Sequence, residues 1–189
     1  MSFDFENVPI HTPPPLDVAV DRITGHLSAT GQGFSIQDPN SSIGLTPAGF
    51  SGNCISPNSV FPADLLVAFS QALNDFSILY ASQELATDSA ATMRVTANMI
   101  DTFVGTNTAV ADQPGTWPCA TLAIGAEQGF NRVVVHFASR PPMGGDYGPI
   151  FVADNMDVTS AAVPESTVFS AVIGAAIGSW LIRTRRVRN

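Results

Sequence analysis

The feature that most constrains the fold is a series of short segments in which apolar and polar residues alternate. This period of two residues places successive side chains on opposite faces of a β-strand. Short strands at this spacing, separated by turns, favour an all-β fold, an antiparallel β-sandwich of jelly-roll type. The apolar positions are Ile23/Gly25/Leu27/Ala29, Phe34/Ile36, Leu65/Val67/Phe69, Phe76/Ile78/Tyr80, Met93/Val95/Ala97/Met99, Leu122/Ile124 and Val133/Val135/Phe137.

Turn-forming residues separate these segments. The chain contains 14 prolines and 15 glycines, which supply the fixed or positive φ angles that tight turns need. Clusters of them occupy residues 38–42, 56–58, 112–115 and 141–145. Residues 84–90 fit either a short helical turn or a loop, and no other segment before residue 168 has a helical period. We therefore expect a single β-sandwich domain over residues 1–159.

The last predicted strand does not fit one register. Phe151 and Ala153 lie on one face by parity, and Met156 and Val158 lie on the other, so a regular strand cannot bury all four. A β-bulge re-aims the residues that follow it. The pattern therefore predicts a bulge near Asp154-Asn155.

The C-terminal end has parts of different physical character. Residues 168–182 form an uncharged, mostly apolar run, which as a helix spans about 22 Å at roughly 1.5 Å per residue, whereas a bilayer crossing needs about 20 residues. We predict a linker over residues 160–167 and a hydrophobic, membrane-entering helix with a basic stop over residues 168–189; the alternative is a buried terminal helix of a soluble domain. The arginines of the stop favour the cytoplasmic side, and they are Arg183, Arg185, Arg186 and Arg188.

A short motif precedes the apolar run: Val163, Pro164, Glu165 and Ser166. The motif, the run and the arginine cluster together resemble the PEP-CTERM sorting signal of Gram-negative bacteria, in which the motif usually reads Val-Pro-Glu-Pro. Ser166 stands where that family has its second proline. The resemblance implies an exported protein whose tail is processed by an exosortase in the inner membrane, and which then reaches the cell surface or the extracellular matrix.

The first six residues read as a strand and not as an export signal, which begins with basic and then apolar residues. We therefore expect an export signal upstream of the given start. The alternative is a tail-anchored membrane protein whose body stays in the cytoplasm and binds a protein partner. That arrangement requires the arginines to cross the membrane, which is unfavourable.

The body carries a second, looser resemblance. Its opening Phe3–Glu6 segment, middle Phe76–Tyr80 segment and closing Phe151–Val158 segment are similar to the β-sandwich ectodomains that often precede this sorting signal. The resemblance implies a carbohydrate-binding-like fold without a defined activity.

Three carboxylates are candidates for a structural metal site. Jelly-roll modules of this kind often hold a calcium ion with carboxylates from the chain ends, and Asp4, Glu6 and Asp154 meet if the first and last strands pair. Calcium takes six to eight oxygen ligands. The alternative is that these are ordinary solvated carboxylates at strand edges.

Charge excludes one class of partner. Residues 1–182 contain four arginines and all 16 acidic residues, whereas nucleic-acid binding needs a basic patch. Glycan binding needs an exposed aromatic platform, for which Trp117 and Tyr147 are candidates, with Asp146 accepting sugar hydroxyls. The alternative is that both rings cover the edge of the core.

The cysteines and histidines do not form a catalytic or metal motif. Cys54 and Cys119 are the only cysteines, and they form either a disulfide in an oxidising compartment or two separate buried thiols. The three histidines have no metal-ligand spacing, and no Gly-x-Ser-x-Gly nucleophile motif is present. We therefore expect a non-enzymatic protein with weak polysaccharide binding; the alternative is a secreted glycan-active enzyme whose paired carboxylates the sequence alone does not identify.

Overall fold

The fold is all-β. The computed structural model describes residues 1–59, 63–82, 91–111, 117–138 and 151–161. The elements within those residues are β1 (Ser2–Phe3), β2 (Leu16–Val20), β3 (Ile23–Ala29), β4 (Phe34–Gln37), α1 (Pro39–Ile43), β5 (Cys54–Pro57), β6 (Leu65–Ser82), β7 (Ala91–Met99), β8 (Thr102–Ala111), β9 (Cys119–Phe137) and β10 (Phe151–Ser160).

Every strand pair between these elements is antiparallel. The strand order is β4-β5-β10-β6-β9-β7-β8, with β1 added to β10 and with β2 and β3 joined to β6 through β3. The first and last strands pair, with Phe3 opposite Met156. The chain ends therefore meet in one sheet, as the candidate calcium site requires.

Two long strands, β6 and β9, belong to both layers of the fold. The first half of β6, Leu65 to Ala68, pairs with β3 and with the second half of β9. The second half of β6, Asp75 to Ala81, pairs with β10 and with the first half of β9. Between the two halves the β6–β9 register shifts twice, and such irregularities bend strands.

The two layers pack face to face. The first layer contains β4, β5, β10 and β1, and the second contains β2, β3, β7 and β8; β6 and β9 contribute half of their length to each. The rings of Phe3 in the first layer and Phe69 in the second are 6.3 Å apart. A Cβ atom on Gly25 of β3 would lie 3.6 Å from Met156 of β10. The prediction of an antiparallel β-sandwich is confirmed.

The predicted bulge is also confirmed. The register of β10 against β6 shifts between Asp154 and Met156, and Asn155 adopts a φ of +47°. The extra residue lets four apolar side chains of β10 enter the same core cluster, and they are Phe151, Ala153, Met156 and Val158.

Other boundaries differ from those expected. The segments around residues 65–69 and 76–80 were expected as separate strands but are one strand, because their hydrogen bonding continues through the bend. Residues 38–42 were expected as a turn, and most of them form the single helical turn α1. The Asp38 side chain accepts a hydrogen bond from the Asn40 N–H and Gly44 ends the turn at a φ of +80°, so this is a capped helix.

The predictions for the C-terminal region concern mostly undescribed residues. Ser160 ends β10, and the Ala161 N–H donates to the Ala72 carbonyl at 2.9 Å, so the predicted linker begins inside the packed domain. Within the described residues, no helix is both long and apolar enough to cross a bilayer. Residues 84–90 and the predicted helix over residues 168–189 lie outside the described part.

Candidate functional site

The carboxylate of Asp154 lies at the β10 bulge and is 1% exposed. One of its oxygens accepts the Ser51 N–H at 3.1 Å, and the other accepts the Asn155 N–H at 2.7 Å. Burial raises the pKa of Asp154, the two backbone donors oppose that rise, and the charges of Glu6 and Asp4 add to it. The three carboxylates are therefore close enough to interact electrostatically.

They do not form a metal-ligand group. The Glu6 carboxylate lies over Gly52, in the space that a Cβ would occupy, and Asp4 accepts the Glu6 N–H at 3.4 Å. No set of three or more His, Cys, Asp or Glu side chains in the described part of the chain is arranged to hold a metal. The calcium expectation gains no support, because the Asp154 oxygens already accept backbone hydrogen bonds.

The two cysteines are free thiols. Cys54 lies on β5 and Cys119 on β9, and β10 and β6 run between them. At about 4.8 Å per strand the two are roughly 14 Å apart, whereas a disulfide needs Cα atoms within about 7 Å. Burial raises the pKa of Cys54 to about 12, with Asp154 and Asp38 adding to the rise, so this thiol stays protonated. The two cysteines are therefore separate thiols and not a disulfide.

The packing of Trp117 favours the alternative of a ring at the core edge over that of an exposed platform. That side chain is partly buried and packs against the apolar cluster of Phe50, Cys54, Ala81 and Val152, so its ring covers the edge of the core. Tyr147 and Asp146 lie outside the described residues. So do the sorting motif at residues 163–166 and the arginines of the basic stop.

Two histidines pair with aspartates on the second layer. His26 Nδ1 lies 2.7 Å from Asp17, and His136 Nδ1 lies 2.7 Å from Asp64. The His136 side chain is 38% exposed.

The outer face of the second layer carries a row of mostly polar side chains that the sequence analysis did not identify. Cross-strand pairing connects six positions across the layer, one on each of β2, β3, β6, β9, β7 and β8. Neighbours in such a row have Cβ atoms about 5 Å apart on the same face. The row is Asp17, His26, Ala68, Arg132, Asn98 and Phe103.

One end of this row combines a ring with hydrogen-bonding groups. Phe103 is 63% exposed and lies opposite Asn98, which in turn lies opposite Arg132. The Arg132 guanidinium is held by Asp101 at 2.7 Å and by the Ile100 carbonyl at 3.4 Å. We name Arg132, Asn98 and Phe103 the β9–β8 row.

A groove runs beside this row. Its volume is about 230 Å³, and Asn98 and Arg132 line it together with Ser28, Leu66 and Val134. Polar and apolar side chains therefore both line the groove. Sequence reasoning missed the β9–β8 row because β8 was not recognised as a strand.

No protein-family model matches the sequence, and no curated protein matches it significantly. Among solved structures, the K1 cleaved adhesin domain of Lys-gingipain from Porphyromonas gingivalis W83 is similar, at 16% identity and a TM-score of 0.48 over 86% of this chain and 98% of that domain. TmCBM61 in complex with β-1,4-galactotriose is similar at 7% identity and a TM-score of 0.39, over 72% of this chain and 88% of that one.

The catalytic domain of Agl-KA gives 12% identity and a TM-score of 0.47 over 95% of this chain, which spans 34% of that one. The similar structures thus include adhesin, carbohydrate-binding and catalytic domains. Likeness at these identities and TM-scores does not extend to function.

Proposed function

We propose that this chain is an exported, non-enzymatic surface domain that binds polysaccharide through the outer face of its second layer. The observation that carries the proposal is the β9–β8 row, in which an exposed ring, an amide and a guanidinium lie side by side. Export and surface attachment rest on the resemblance of residues 163–189 to a sorting signal.

The chemistry of the row suits a sugar ring. A pyranose has an apolar C–H face and a rim of hydroxyls, so an aromatic ring packs on the face while polar groups bond the rim. Asn98 offers an amide donor and acceptor, and Arg132 offers those of its N–H donors that do not bond Asp101 and the Ile100 carbonyl. Asp101 and the Ile100 carbonyl hold Arg132 in place, which lowers the entropy lost on binding.

Features elsewhere favour binding over catalysis. Burial raises the pKa of both thiols, so neither is a ready nucleophile. The Asp154 carboxylate is buried and occupied by backbone donors. Asp101 in the groove is paired with Arg132.

The test is binding to a panel of purified neutral and acidic polysaccharides, measured by calorimetry and by retention in affinity gels. We expect Phe103→Ala and Arg132→Gln each to weaken binding at least tenfold, on the order of 1.4 kcal/mol. Both residues are exposed, so unfolding of the variants is not expected. Ile10→Ala, which removes another exposed apolar side chain, is the matched control and should bind normally.

Two results would overturn the proposal. One is the absence of binding to every polysaccharide of the panel when the concentration of binding sites is millimolar. The other is binding that survives both substitutions, since the ligand would then lie elsewhere on the domain.

A further inference from the structure

The strand β8 is an unusual sheet edge. It ends the strand order and pairs with β7 alone among the described strands. Edge strands are normally protected by charged residues or proline, but the ten residues of β8 include neither. Of the five large apolar side chains exposed in the described residues, three lie on β8 or in the turn before it: Ile100, Phe103 and Val110. This edge is therefore both uncharged and partly apolar.

The outward-pointing backbone groups of β8 can be identified. The Thr92 carbonyl of β7 accepts the Ala138 N–H at 2.7 Å, so the backbone groups of Thr92 and, two residues on, of Arg94 face β9. Thr108 lies opposite Arg94, so its N–H points away from the sheet, where it donates to the side chain of Asn107 at 2.9 Å. Backbone direction alternates along a strand, so the N–H and C=O of Thr106 point the same way. Thr106 and Thr108 thus offer the groups with which another strand would pair.

Asn107 covers part of this edge. Its Oδ1 accepts the Thr108 N–H, and its Nδ2 donates to the Ala123 carbonyl of β9 in the first layer at 2.8 Å. The Asn107 side chain is exposed, and the N–H that its Oδ1 accepts belongs to the next residue in the chain. Rotation of this one side chain is enough to release the Thr108 N–H.

The register of β8 is self-complementary. Asn98 lies opposite Phe103 and Ala97 lies opposite Gly105, so Val104 is an extra residue in β8. Because of this extra residue, Phe103 and Val110 lie on the same, outer face of the strand. A twofold axis at Asn107 would set Thr106 opposite Thr108 of a second copy. The same axis would set Phe103 opposite Val110, so apolar side chains meet on both sides of the axis.

We propose that β8 is a strand-addition edge that pairs antiparallel with the β8 of a second copy of this chain, after Asn107 releases the Thr108 N–H. The acidic body makes two copies repel each other, and the repulsion is smallest where an uncharged strand faces its equivalent. A closed twofold contact of this kind produces a dimer and not a fibre.

The experiment uses the full chain in a mild detergent, because residues 168–182 are apolar. Sedimentation equilibrium is measured at protein concentrations up to about 1 mM. A dimer dissociation constant of that size corresponds to a binding free energy of about 4 kcal/mol. We expect a concentration-dependent dimer, with amide hydrogen exchange of Thr106 and Thr108 slowing as the dimer forms. Asn107→Ala should strengthen the dimer at least threefold, because the Thr108 N–H is then free.

Two substitutions should weaken the dimer at least tenfold. Thr108→Pro removes the outward donor without removing a bond to β7, and proline is tolerated on edge strands. Thr106→Lys adds a charge at the contact. Ala19→Lys, on β2 at the other end of the layer, is the matched control and should leave the dimer unchanged.

Monomers at all concentrations, in both the natural chain and Asn107→Ala, would overturn the proposal. So would a dimer that neither Thr108→Pro nor Thr106→Lys weakens, because association would then occur through another surface, such as the apolar tail.

Discussion

At the scale of single residues, Asp154 is the carboxylate that the fold removes almost completely from water. An ionised group is expensive to bury unless hydrogen bonds compensate. The Ser51 and Asn155 N–H groups compensate in part, whereas Glu6 and Asp4 add negative charge nearby. Burial prevails, so the pKa of Asp154 is raised and the folded state favours its protonated form.

Asp154 should therefore make stability depend on pH. The folded state binds its proton more tightly than the unfolded chain, whose aspartate pKa is about 3.9. The stability that this group contributes is complete below that value and is lost as pH rises through the raised folded pKa. Relative to that of Asp154→Asn, we expect the free energy of unfolding to fall as pH rises from about 3.9 through the raised folded pKa of Asp154.

Urea unfolding at a series of pH values measures this difference. Asp157→Asn removes an exposed carboxylate from the same strand and is the control, which should retain the pH dependence of the natural chain. Parallel curves for the natural chain and Asp154→Asn would contradict the prediction.

At the scale of elements, the bulge in β10 decides which side chains of the last strand are buried. Asn155 is the inserted residue, and its positive φ is one that asparagine tolerates better than β-branched residues do. Its side chain also donates to the Gly49 carbonyl at 3.1 Å. The bulge is therefore built by the inserted residue and supported by the neighbouring loop.

Deleting Asn155 should abolish the native fold. The deletion forces a single register on β10 and turns Met156 and Val158, both buried, toward solvent. Asn155→Gly keeps the residue count and accepts the positive φ, so it should fold with a melting temperature close to that of the natural chain. Thermal melts followed by near-ultraviolet circular dichroism distinguish the two, and a cooperative melt of the deletion variant would refute this role of the bulge.

A second element-scale feature is Gly129, which lies between the two halves of β9. Its φ is +74°, and an added Cβ would lie 3.4 Å from the Leu73 carbonyl oxygen. Gly129→Ala should lower the free energy of unfolding by about 1–2 kcal/mol. Gly105→Ala is the control, because a Cβ there meets Ile124 at 3.7 Å, an ordinary contact distance, and no positive φ is recorded. Equal stability of the two variants in denaturant unfolding would contradict the prediction.

At the scale of the whole molecule, an acidic sandwich precedes a tail of opposite character. All 16 acidic residues precede residue 183, and four of the eight arginines lie within residues 183–188. The proposed export requires such a division, because basic residues favour the cytoplasmic side of the membrane.

The proposed sorting predicts a shortened product. Intact mass, measured on protein fractionated from its native host, should show a form outside the inner membrane that lacks the residues after about Ser166. Ser166→Pro, which restores the usual motif of the resembling family, should increase the shortened fraction. Retention of the intact tail in the inner membrane by both chains would favour a permanent anchor.

The sequence alone was sufficient for the strand-rich class, most of the strand positions in the core and the β10 bulge. These depend on the alternation of neighbouring residues, and a parity conflict such as that between Ala153 and Met156 is visible within a few positions. The sequence did not predict that β6 is one long strand. The bend between the halves of β6 is held by hydrogen bonds to β9, which is distant in the chain.

The candidate site was mostly a tertiary outcome. Sequence left Trp117 open between an exposed platform and a ring at the core edge, and the packing of Phe50 and Val152 from other elements favours the second. Sequence also indicated that Asp4, Glu6 and Asp154 lie near one another, as they do, but the described residues hold no metal-ligand group there.

By itself, then, the sequence determined the alternating pattern and hence the residues able to face a core, because that information is local. Only the tertiary structure decided that Phe103 stays exposed beside Asn98 and Arg132 and that Asn107 bridges two strands. These outcomes depend on cross-strand register, which is set by contacts between residues far apart in the chain.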